Sequence, residues 1–104
     1  MDRKQKRQTL EELLIQFNDL KPDLQKFGGD PVSALAERLI VFINVLTPYS
    51  HLFEDSFKQK IKNYILVYEE TRKNPSKSTT LPKLIKPTTE QIKETLEKKI
   101  IELS

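Results

Sequence analysis

The chain has no cysteine, no tryptophan, two glycines, one histidine and one methionine in 104 residues. Each shortage removes a class of chemistry. Without cysteine there is no disulfide framework, no thiol nucleophile and no thiolate metal site. The two glycines are adjacent, Gly28-Gly29, so neither a P-loop nor a dinucleotide-binding fingerprint fits the chain. With His51 as the single histidine, and no motif around any serine, no Ser/His/Asp arrangement can be argued. Glu54 and Asp55 follow His51 by three and four residues and would share its face on a helix. That spacing can hold a metal or move a proton. Acidic residues at a helix start also answer the helix dipole, and the trio is read that way. The expectation is a protein that is not an enzyme and carries no cofactor or metal.

Long apolar runs are missing as well. The most apolar stretch, Leu39–Leu46, is far shorter than the ~20 residues of a membrane span. No apolar segment follows the basic N-terminus, as a secretion signal would require. These absences point to a soluble, cytoplasmic protein with no membrane partner. The length allows one domain with a modest core.

What is present is charge, and it comes in blocks. Residues 1–8 hold Arg3, Lys4, Lys6 and Arg7 against Asp2 alone. Residues 9–57 hold three basic and eight acidic side chains. Residues 58–86 reverse this, with eight basic side chains against Glu69 and Glu70. The last block, 87–104, is nearly neutral. Such blocks speak to partners rather than to fold.

Helical periodicity dominates the rest. Thr9-x-x-Glu12 reads as a capping box, and Leu10, Leu13, Phe17, Leu20, Leu24 and Phe27 follow at alternating steps of three and four. That places a first helix over about 9–27, kinked at Pro22 and closed by Gly28-Gly29. Asp30-Pro31 starts a second over 31–46, since aspartate caps and proline suits the first turn. This helix is apolar nearly all round apart from Asn44, so it is central, or leaves a face for a partner. A third runs over about 51–73, with Phe53, Phe57, Ile61, Tyr64, Ile65 and Tyr68 as its stripe. The three prolines in 74–87 read as a linker. Thr88-x-x-Gln91 then opens a fourth helix over about 88–103. The expected fold is all-α, a four-helix bundle behind a flexible basic arm at 1–8.

Two surfaces stand out as candidates. Arg3, Lys4, Lys6, Arg7, Lys58, Lys62, Lys77, Lys83 and Lys86 can track a phosphate backbone if they converge on one face. Tyr64 and Tyr68 can stack bases, but both fit the core stripe and are assigned there. Leu81, Leu84 and Ile85, framed by Pro82 and Pro87, are placed to strap across the core or to dock on a partner. The leading expectation is a non-enzymatic helical interaction module, an assembly subunit, adaptor or inhibitor with a protein partner or a second copy of itself. The alternative is a nucleic-acid-associated subunit of a larger complex.

Overall fold

Asp2, not Thr9, opens the first helix. Its carboxylate accepts from the Gln5 N–H at 2.8 Å, and the Gln5 side chain accepts from the Asp2 N–H at 3.1 Å. Asp-x-x-Gln is thus a reciprocal box one stretch upstream of the expected one. Arg3 to Gln8 are helix-tolerant residues, so nothing between the two boxes stops the helix. Residues 3–8 are therefore the first turns of α1 (Arg3–Asp19), capped by Asp2, and not an arm outside it.

The computed structural model describes residues 1–74 and 79–104. Its described residues form four α-helices, α1, α2 (Pro31–Leu46), α3 (Asp55–Lys73) and α4 (Thr80–Glu102). Short 3₁₀ segments occupy Gln25–Phe27 and Thr47–Leu52, and no strand is present among the described residues. The protein is all-α.

The expected kink at Pro22 is a stop. Leu20 is already extended, and its N–H closes the last turn on the Gln16 carbonyl at 3.0 Å. The residue before a proline is held out of the α region, and the chain does not resume a full helix before Gly28. Gly28 and Gly29 both take positive φ, 60° and 88°, and the Gly29 N–H returns to the Leu24 carbonyl at 2.8 Å. Of the six-residue stripe, only Leu10, Leu13 and Phe17 are fully buried; Leu24 is exposed.

α2 starts where the sequence placed it. Asp30 accepts from the Val32 N–H at 3.1 Å and from the Ser33 hydroxyl at 2.6 Å. The Ser33 bond, then the Val32 bond, holds its carboxyl below the usual carboxylate range. α3 starts later than expected. The 3₁₀ segment ends at Leu52, Phe53 is extended and buried, and Glu54 occupies the cap position.

The expected linker 74–87 is the largest correction. α4 begins at Thr80, so Leu81, Leu84, Ile85, Thr88 and Ile92 sit on one helical face. Pro82 falls in the first turn, where its missing N–H has no intrahelical partner to lose. Pro87 does lie inside the helix, on its exposed side, and removes the bond to the Lys83 carbonyl. Thr88-x-x-Gln91 therefore caps nothing; the Thr89 hydroxyl donates back to the Ile85 carbonyl at 2.7 Å.

α4 touches each of the other three helices. The Arg3 guanidinium reaches the Glu102 carbonyl, so α1 and α4 are antiparallel. Lys60 meets Gln91 and Lys99 faces Glu54, so α3 and α4 are antiparallel too. The core lies between them: Leu10, Leu13 and Phe17 of α1, Leu39, Phe42, Ile43 and Leu46 of α2, Tyr64 of α3, and Ile92 and Leu96 of α4. Phe17 and Phe42 meet at 4.8 Å between ring centroids, tilted by 56°. Continued through the 3₁₀ segment, Pro31–Leu52 is 22 residues with mean hydropathy 1.3, long and apolar enough to cross a membrane by length and composition. Here its inward residues, from Ala36 to Leu46, are the centre of the core. Asn44 is exposed and interrupts nothing.

Candidate functional site

The basic residues are dispersed rather than gathered. Arg3 donates to the Glu102, Leu103 and Ser104 carbonyls at 2.9, 3.2 and 3.4 Å, covering the C-terminal end of α4. Arg7 pairs with Glu11 at 3.0 Å and Lys58 with Asp55 at 3.2 Å. Lys4, Lys6 and Lys62 are exposed. Lys83 and Lys86 are exposed on the first turns of α4, at the end opposite Arg3. Lys77 lies outside the described residues. Arg3 and the first turns of α3, with Lys58 and Lys62, thus share one end of the molecule, and Lys83 and Lys86 stand at the other.

Leu81 and Ile85 are buried in the protein's own core, and Leu84 is half-buried against it. They pack there as the first turns of α4 and not as an extended strap, and none of the three is exposed. Tyr64 is fully buried and donates its hydroxyl to the Ala36 carbonyl at 2.7 Å. Burial pushes its phenol well above the ordinary tyrosine range, with Tyr68 adding to it. Tyr68 is half-buried, and its ring stacks at 6.3 Å from that of Tyr64. His51 is exposed, and the extended Phe53 separates its 3₁₀ segment from α3, so His51, Glu54 and Asp55 share no continuous helical face. Among the described residues no three metal-ligating side chains are placed to hold an ion.

Arg38 escaped the sequence reading. Its guanidinium donates to the Leu20 carbonyl at 2.6 Å and the Phe17 carbonyl at 2.7 Å, and lies 4.6 Å from the Phe17 ring centroid. It closes the C-terminal carbonyls that Pro22 leaves open on α1. Partial burial lowers its pKa. One arginine thus covers the end of α1 and another, Arg3, the end of α4.

An apolar surface open to binding lies between α2 and α3. A 3₁₀ segment of six residues joins these helices instead of a tight turn, and a trough of about 430 Å³ lies between them at that end. Its floor is Ile43, Leu46, Phe53 and Phe57, all buried. Its α3 wall is Ile61 and Ile65, both half-buried. Lys58 and Lys62 stand along that wall, with Thr47 and Ser50 on the far side. Phe53 and Phe57 pack at 5.0 Å between centroids and stiffen the floor. No carboxylate lines the trough.

Comparison with family models, with curated proteins and with solved structures finds no match to the chain. The trough is therefore read from its own chemistry.

A second groove, of about 630 Å³, lies between α3 and α4 around Pro87. Lys60 bridges to Gln91 across it at 3.2 Å, and its mouth is lined by Ser56, Gln59 and Asn63. Lys60 is thus tied across this groove, whereas the α2–α3 trough leaves Ile65 half-exposed on a wall that carries Lys58 and Lys62.

Proposed function

We propose that the protein is a soluble, cytoplasmic, non-enzymatic interaction module: an up-down four-helix bundle acting as an assembly subunit, adaptor or inhibitor. The single observation that carries this reading is the α2–α3 trough, whose floor is continuous with the core and whose wall leaves Ile61 and Ile65 half-exposed. Apolar surface of this kind, rimmed by polar residues, is what protein partners cover. The dispersed cations do not favour the nucleic-acid alternative in the same way, since they offer no single track.

The test is site-specific crosslinking in the cells that make the protein. A photo-reactive residue replaces Ile65 in the trough, and a second variant carries it at Lys93, which is exposed on α4. A discrete crosslinked species from the Ile65 position alone supports the reading. Equal products from both positions, or none from Ile65, would count against it.

A further inference from the structure

We propose that the trough takes one amphipathic helix of acidic character, laid along α3 with its carboxylates against Lys58 and Lys62; this rests on the reading of the trough as a docking site. Shape is the first argument. The trough is a half-open groove lined by α2, α3 and the segment between them, so it suits one face of a rod better than an enclosed small molecule. Helices dock in such grooves through apolar anchors at i, i+3, i+4 and i+7.

Charge is the second. Two lysines and no carboxylate line the trough. Lys58 and Lys62 are one turn apart, roughly 6 Å along the axis of α3. A partner helix with glutamates one turn apart repeats that spacing, so two ion pairs form at once. A single-headed anion, such as a fatty acid, offers one carboxylate to the pair. Lys58 already has Asp55 at 3.2 Å, but that carboxylate is fully exposed and the contact lies within one helix. Such exposed pairs hold weakly and exchange freely. Thr47 and Ser50 opposite are neutral, which orients the acidic edge of the partner toward α3.

The test uses the full isotopically labelled chain and two blocked 18-residue peptides. Both carry leucine at heptad positions a and d; one has glutamate at b and e, one turn apart along a single flank, and the other has lysine there. The expected result is that the glutamate peptide shifts the amide signals of Leu46, Phe57, Ile61 and Ile65 and binds at least tenfold tighter than the lysine peptide. In the Lys58→Glu/Lys62→Glu double variant the preference should invert. Equal binding of both peptides at the trough would overturn the charge inference while leaving the docking site standing. If neither peptide moves those signals at millimolar concentration, both fall. Laurate is run alongside; shifts from it with none from the glutamate peptide would overturn the helical partner in favour of a lipid-like one.

Discussion

At the scale of single residues, the groups that matter most join distant parts of the chain. Arg38 holds the carbonyls of Phe17 and Leu20 through two bonds below 2.8 Å. Bonds from a charged donor contribute about 2 kcal/mol each, and the stacked ring adds to them. Arg38→Met is expected to lower stability to urea by at least about 2 kcal/mol. Arg38→Lys should recover only part of this, because a point charge cannot span both carbonyls. Tyr64 was legible as core from its place in an apolar stripe. Its bond to Ala36 was not, since only the packed fold brings α2 and α3 together there. Tyr64→Phe should cost about 1 kcal/mol at neutral pH. Its pH dependence has a definite sign. Burial raises the folded pKa above the ordinary 10.0, so both states keep the proton below about pH 10. Above it the unfolded chain loses the proton first and is stabilised. The wild-type urea midpoint should therefore fall more steeply than that of Tyr64→Phe between about pH 9.5 and about 11.5.

At the scale of elements, the sequence shows existence better than boundaries. The Asp30-Pro31 start of α2 was readable because cap and proline agree. The start of α1 was not, because two capping boxes stand seven residues apart and local chemistry does not rank them. Packing and the Arg3 contact to α4 accompany the upstream one. A pair of variants separates the two. Asp2→Ala should cost about 1 kcal/mol and reduce helicity by circular dichroism. Thr9→Ala, inside α1, should change stability by less than about 0.5 kcal/mol. Near-equal losses would mean that residues 3–8 are not helical in solution. The first turns of α4 were hidden by their prolines. Leu81, Leu84 and Ile85 have helical spacing, but Pro82 and Pro87 mask it to any reading that treats proline as a breaker wherever it occurs. Proline is harmless in a first turn, and on an exposed face the carbonyl freed by Pro87 can be hydrated. The α2–α3 trough was not legible at all, because it depends on how a 3₁₀ segment sets two helices apart.

At the scale of the whole molecule, charge blocks along the chain do not become charge blocks in space. Antiparallel packing puts Arg3 beside the C-terminus of α4 and so sends Lys83 to the other end, roughly 28 Å along the helix. The molecule extends 46 Å in its longest direction, and its candidate cations sit toward both ends. A duplex following one end meets Arg3, Lys4, Lys6, Arg7, Lys58 and Lys62, of which Arg3 is held on the carbonyls of α4, while the exposed pairs of Arg7 and Lys58 can exchange for a phosphate. Each phosphate neutralised contributes about 0.9 to the slope of log affinity against log salt. With about five cations left available, the expected slope between about 50 and 200 mM salt is about −4.5. The expected Kd for double-stranded DNA is then in the non-specific range, about 10⁻⁴ to 10⁻⁶ M. Fluorescence anisotropy across a salt series measures both. Replacing Lys83 and Lys86 with glutamine should leave the slope unchanged, because they stand at the far end. A slope steeper than about −6, reduced by that replacement, would mean that both ends bind one nucleic acid. The elongated molecule would then be a clamp along the backbone, and the acidic helix proposed for the trough would compete with it for Lys58 and Lys62.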